Sequence, residues 1–141
     1  VSVYRSELER LAVDEWASRD LRLMVLTDAS SYVFDPTDQF VTDVTTSGGV
    51  EAAWTGYARS TLLLTPPVWS SGWVCGAGTV DLGIVGTAVT DKASGLVVYE
   101  HITSDADSLL VAYHALAPTV TVWDGTNPFL VTFASGVLKV S

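Results

Sequence analysis

Along most of the chain apolar and polar residues alternate at the strand period of two, and a helical period is found only near the start. There Tyr4, Leu8, Leu11 and Ala12 recur at helical spacing and Trp16 continues their face. Ser6 and Glu9 fit a capping box, in which a hydroxyl and a carboxylate each satisfy a free backbone amide. The pattern predicts a helical segment over 1–19, with Glu7, Glu9, Asp14 and Glu15 on its solvated side. Asp20–Thr27 then predicts a central strand buried on both faces, because Leu21, Leu23 and Val25 alternate with Met24 and Leu26 and only Arg22 interrupts.

The connection Asp28–Val44 is long for a compact domain, and such loops are functional or anchored by their own side chains. Asp35-Pro36 favours a turn, and burial would let Phe34 and Phe40 pin the loop to the body. Tyr32 would do the same or reach a neighbour. After Gly48-Gly49, Val50–Leu64 predicts a strand with Ala52, Trp54 and Gly56 on one face, ended by Thr65-Pro66-Pro67 because proline cannot donate to a ladder. Trp69 and Trp73 in the Gly- and Ser-rich stretch 68–78 predict an exposed or interface loop. Thr79–Thr87 predicts a strand with Val80, Leu82 and Ile84 facing in.

Asp91–Gly95 reads as a turn, and strands are predicted at Leu96–Thr103, Ser108–Leu116, Thr119–Trp123 and Phe129–Ala134, with Pro118 among their separators and a short end piece at Val137–Val140. Short strands with turn signals between them predict a mainly β fold, a β-sandwich or barrel-like single domain over 1–141 with one N-terminal α-helix (1–19) and a β body (20–141).

Composition adds a reason to expect neighbours. A chain of 141 residues that is 48% hydrophobic, with mean hydropathy +0.35, carries more apolar surface than a body this size readily hides. Some of it is expected to meet another subunit. Seven basic residues against sixteen acidic, a net charge of -9, work against nucleic acid, whose phosphates are met by clustered Lys and Arg. Apolar runs fall short of a membrane span, and no basic segment leads into an apolar run at the start, so a soluble chain made in a cytoplasm is expected.

Candidate chemistry is sparse. The one cysteine, Cys75, cannot form an intrachain disulfide and is expected to be a small buried hydrophobe. Glu100 and His101 are adjacent on a strand and point to opposite faces, so they cannot join Asp105 and Asp107 around one metal. Asp35, Asp38 and Asp43 lack the EF-hand spacing and are expected to cap turns. With no G-x-S-x-G elbow and no glycine-rich phosphate cradle, no enzyme activity, catalytic residue, cofactor or metal is expected.

The order of motifs over residues 20–61 resembles a known family. A D-x-L-x-L-M-V-L-T strand precedes a loop carrying Tyr32, Phe34, Asp35, Pro36, Asp38, Phe40, Asp43 and Val44, and Thr55-Gly56-Tyr57-Ala58-Arg59 follows. This looks like the small auxiliary virion proteins of tailed bacteriophages, the capsid decoration and minor capsid proteins. The resemblance implies a structural protein on the capsid exterior of a virion, synthesised in a bacterial host cytoplasm. It would be a homotrimer that bridges major capsid protein subunits and stabilises the shell, with no nucleic acid or membrane as partner. Interface contacts are expected from Tyr4, Tyr32, Phe34, Asp35, Phe40, Arg59, Trp69 and Trp73. Arg59, the lone cation of its region, would pair with a carboxylate inside the chain or across an interface, or stay exposed. The alternatives are a tail or head-tail connector component, and a soluble carbohydrate- or ligand-binding β domain in which the paired tryptophans stack on a sugar.

Overall fold

Leu21–Thr27 forms β2, and all of it except Arg22 is buried. The computed structural model describes residues 2–4, 16–69, 73–84, 92–120, 126–133 and 136–140. Within them β2 pairs antiparallel with β7 (Ala93–Glu100) on one side and with the two-residue β3 (Ser60–Thr61) on the other. A long strand β8 (Leu109–Val120) pairs with β7, and β1 (Ser2–Val3) closes the far edge. The resulting five-stranded sheet has the order β1-β8-β7-β2-β3, and β2 is central, as its double-sided apolar pattern predicts.

Strand alternation sends the two halves of β2 to different partners. Leu21, Leu23 and Val25, with Leu96, Val98, Val111 and Ala112, pack against a second layer of strands. That layer consists of β4 (Leu64–Trp69), β5 (Trp73–Ala77) and β10 (Leu138–Val140) in one sheet and β6 (Val80–Ile84) with β9 (Pro128–Val131) in another. It contributes Cys75, Val80, Leu82 and Val131 to the shared core. The chain is therefore mainly β, with sheets packed as in a β-sandwich. Val111 and Ala112 are consecutive yet join the same core because the register slips between Val98 and Tyr99, leaving Val111 as the extra residue of a bulge.

Met24, Leu26, Val97, Tyr99 and Leu110 point the other way. No strand layer covers them among the described residues; Tyr4, Tyr32, and Val41 and Val44 of a single short helix do so instead. This helix, α1 (Val41–Thr46), forms the end of what the sequence suggests is all loop. Phe40 occupies its N-cap without a side-chain acceptor, so only the return half of a capping box is made: Asp43 Oδ2 accepts the amides of Gln39 and Phe40, each at 2.9 Å.

Several boundaries differ from the sequence pattern. Ser2–Val3 is a strand and Trp16–Ser18 a 3-10 turn, while the body of the expected N-terminal helix, 5–15, lies outside the described residues. Val50–Leu64 is not one strand, because the chain leaves β2 after Ala52, turns at Thr55-Gly56 with Gly56 at φ 91°, and returns at β3. Pro66-Pro67 does not end its strand: β4 runs through both prolines on an edge, where the register shift between Thr65 and Val68 removes them from the ladder. The expected 68–78 loop is a hairpin, with Trp69 opposite Trp73. Similarly, Pro118 sits inside β8 next to a register irregularity and does not divide it, and the turn expected at 91–95 gives way to β7 from Ala93. The ends of three other expected strands, 85–87, 121–123 and 134, lie outside the described residues.

Candidate interaction surface

The excursion between Ala52 and β3 is closed by a charge cluster. Ala52 N–H donates to the Val25 carbonyl at 2.9 Å and Leu62 N–H to the Leu21 carbonyl at 2.8 Å, so the segment rejoins β2 at both ends. In the gap the Tyr57 hydroxyl accepts the Val25 N–H at 3.0 Å and donates to Glu51 Oε1 at 3.2 Å. Arg59 Nε and Nη2 donate to the two oxygens of Glu51 at 2.7 and 2.6 Å. Its Nη1 and Nη2 donate to the two oxygens of Asp105 at 2.6 and 2.9 Å, and Nη1 also donates to the Tyr99 hydroxyl at 3.2 Å. All five guanidinium N–H groups thus have acceptors within the chain.

This arrangement settles where Arg59 pairs: within the chain, bidentately, with two carboxylates. The bonds to Glu51 and then Asp105 hold the guanidinium pKa above the usual arginine range, and Arg59 holds Asp105 below the usual carboxylate value. Asp105 binds twice, because its backbone carbonyl also accepts the Thr42 N–H of α1 at 3.3 Å. Ser108 supplies the neighbouring carbonyl, to Val41 N–H at 3.1 Å, so the 101–108 turn satisfies the open amides of the helix start.

The other residues expected at an interface are largely engaged inside the chain. Tyr4 is fully buried and its hydroxyl lies 2.9 Å from that of Tyr32, which donates to Asp38 Oδ2 at 2.9 Å. Burial raises the Tyr4 pKa well beyond its ordinary value and pushes that of Tyr32 up to about 12. Phe34 is partly buried, tilted against Tyr4 at 5.0 Å and stacked on Tyr113 at 6.4 Å, which pins the loop. Phe40, half-buried, bridges to Leu109. Asp35 remains exposed and folds the turn by accepting the amide and hydroxyl of Thr37 at 2.8 and 2.7 Å. The Trp69 and Trp73 backbones face each other in the hairpin, and the role expected of their rings lies outside the described residues.

Outward apolar surface occurs where the sequence pattern does not place it. Ile84, expected in the core, is 50% exposed. Gly83, at φ 90°, sits in a register shift between Asp81 and Ile84 that turns Ile84 onto the outer face beside Pro128. A Cβ at Gly83 would run into the Gly56 carbonyl, so the bulge is also required by the approach of the 55–56 turn. On the same outer face, Leu130 is 52% exposed opposite Asp81, and Thr79 meets Thr132 at 3.1 Å. Leu63, 78% exposed, lies beside Gly78 where β6 is about to begin. The β6–β9 sheet therefore presents Ile84, Pro128 and Leu130 as an apolar strip with a polar margin.

The carboxylates that could have formed a metal site are dispersed. Asp35 holds Thr37, Asp38 holds Tyr32, Asp43 caps α1, and Asp107 accepts the Thr103 and Ser104 hydroxyls at 2.7 and 2.9 Å. Glu100 pairs with Arg19 at 2.9 Å in a largely buried setting. Among the described residues no three His, Cys, Asp or Glu side chains come together as metal ligands. Cys75 is buried and burial raises its thiol pKa, which disfavours the nucleophilic thiolate. His114 packs on Phe133 at 5.4 Å, and burial lowers its pKa. No family model, curated protein or solved structure matches the chain.

Proposed function

We propose that this protein is a structural subunit of a larger assembly and that the β6–β9 face is one of its contact surfaces. The carrying observation is the outward strip of Ile84, Pro128 and Leu130, produced by a glycine-dependent bulge that displaces an isoleucine from the core. Apolar side chains left half exposed at that position are consistent with burial against another protein. Because Arg59, Tyr4 and Tyr32 are engaged inside the chain, a contact is proposed at this strip in place of those three residues.

In its specific form the proposal is a decoration or minor capsid protein that braces the outside of a tailed-phage shell. It is supported by the motif order over residues 20–61, by the acidic charge and by the β-rich build. Such a protein works by burying apolar and hydrogen-bonded area across subunits, which adds association energy to the lattice. Light scattering of the purified chain tests self-association, with a trimer of three times 15.0 kDa expected. Cryo-electron microscopy of particles containing the chain tests location. Density on the shell exterior supports the capsid reading, and density in the tail or connector replaces it. A monomer that turns over a small compound overturns the structural role.

A further inference from the structure

We infer that the segment covering the Met24 face of the central sheet, residues 28–49 with the 101–108 turn, is an acid-releasable cover that opens before the sheets themselves unfold. The attachments carry this. Asp43 fixes the Gln39 and Phe40 amides, Asp38 fixes Tyr32, Asp35 shapes the turn at Thr37, Asp107 shapes the turn at Thr103 and Ser104, and Asp105 with Glu51 holds Arg59. On the outer β6–β9 face, by contrast, Asp81 is the one carboxylate among the described residues, and it accepts only the Gly83 amide, at 2.8 Å. Outside the cover Glu100 also pairs with Arg19 and Asp20 with Arg22, so protonation removes charge-assisted bonds mostly, not solely, from the cover.

Among the described residues, the charged and titratable groups facing the Arg59 anchor are Glu51, Asp105, Tyr57, Tyr99, Arg22 with its partner Asp20, and His101. Asp105 and Asp107 are held below the ordinary carboxylate value of 3.8, Asp105 by Arg59 and Asp107 by Thr103 and Ser104. Stability from such groups is complete above that value and is withdrawn as pH falls through their folded pKa, so opening falls below pH 3.8. Asp38 has the opposite sign. Burial, and repulsion from Asp35 and Asp43, raise its pKa, and a protonated Asp38 can still pair with Tyr32. Release therefore depends on the groups held low, Asp105 and Asp107 together with Asp35, which Thr37 holds below the ordinary value. Opening would uncover Met24, Leu26, Val97, Tyr99 and Leu110, a second apolar sheet face.

Amide hydrogen exchange by nuclear magnetic resonance, on the full chain from neutral pH to pH 3, tests this; the cover is read at Val41, Thr42 and Ser47 and the sheet at Met24, Val97 and Val98. The expected result is a loss of protection, corrected for intrinsic exchange, in the cover while the sheet keeps its own. Asp105→Asn at neutral pH should reproduce the selective loss, and Asp81→Asn should not. Simultaneous loss in cover and sheet, unchanged cover protection in acid, or an Asp81→Asn variant that loosens the cover equally would each overturn the inference.

Discussion

On one face of β2, Leu21, Leu23 and Val25 meet side chains from a second layer of strands; on the other, Met24 and Leu26 meet a winding segment with one six-residue helix. The first face is joined mainly by apolar burial between elements whose backbone groups are paired in their own sheets. The second is covered by chain with little regular pairing of its own, so its amides and turns are completed by Asp35, Asp43, Asp107 and the carbonyls of Asp105 and Ser108. The contrast explains why Asp35, Asp38, Asp43, Asp105 and Asp107 lie on the covered side: there each serves as a local acceptor. The difference makes the sandwich sensitive to lost volume and the cover sensitive to lost charge.

Truncation should give the largest separation between the faces. Leu23→Ala empties a fully buried position between two strand layers that cannot close independently, and a loss of about 2–5 kcal/mol is expected from chemical denaturation. Met24→Ala on the opposite face should cost less, because the cover can settle into the space. Equal losses would mean that the cover is as rigid as the strand layer. Next in size is Arg59→Ala, which leaves Glu51, Asp105 and the Tyr99 hydroxyl without their shared donor. The cluster is partly solvated, with the Arg59 side chain 24% and that of Asp105 39% exposed, so about 1–3 kcal/mol is expected after allowance for screening. Arg59→Lys should recover little of it, since one ammonium cannot reproduce a fork shared by two carboxylates.

Smaller, but sharper in sign, is the alkaline titration. All five tyrosines, Tyr4, Tyr32, Tyr57, Tyr99 and Tyr113, are held above the ordinary value of 10.0, with burial as the leading cause in each. The folded chain should therefore show little phenolate absorbance at pH 10.0. The unfolded chain ionises there, so stability declines as pH rises from 10.0 toward about 12, where Tyr32 titrates. Early phenolate absorbance with the fold intact would show that the tyrosines are more accessible than their packing indicates.

Much of the sandwich was legible because strand periodicity records burial: β2, its central place and the strand-rich final third follow from alternation alone. One cause of misreading is the bulge, which changes the phase of the alternation at Gly83 and around Pro66-Pro67, and only tertiary packing decides where that happens. Asp-Leu-Gly-Ile at 81–84 carried a signal, since glycine inside a strand marks bulges, but it does not reveal which side the following residue takes. The Arg59 cluster was half legible. A lone cation among acids suggests a pair, whereas its second partner, Asp105, is forty-six positions away and is brought in by the β7–β8 turn. Tyr4, expected on an N-terminal helical segment, and Tyr32, expected on a long loop, were both assigned to a contact surface, and both are folded inward.

The outer strip supplies the smallest effect on stability and the most direct test of the proposed role. Ile84 and Leu130 are about half exposed, so Ile84→Ser with Leu130→Ser removes only part of each side chain's packing, and unfolding should shift by about 1 kcal/mol, the sum of two surface positions. Their removal should nevertheless abolish self-association in light scattering, or occupancy on particles, if this is the face that meets a neighbour. The outer face of β6–β9 would then be a third kind of sheet surface beside the sandwiched and covered ones, apolar in the isolated chain and completed only in an assembly. Loss of stability without loss of association would place Ile84 and Leu130 in the chain's own packing and move the contact elsewhere. Because Gly83 turns Ile84 outward, Gly83→Ala provides an independent check: it strains a φ of 90° and crowds the Gly56 carbonyl, so it should disturb fold and association together, unlike the serine pair.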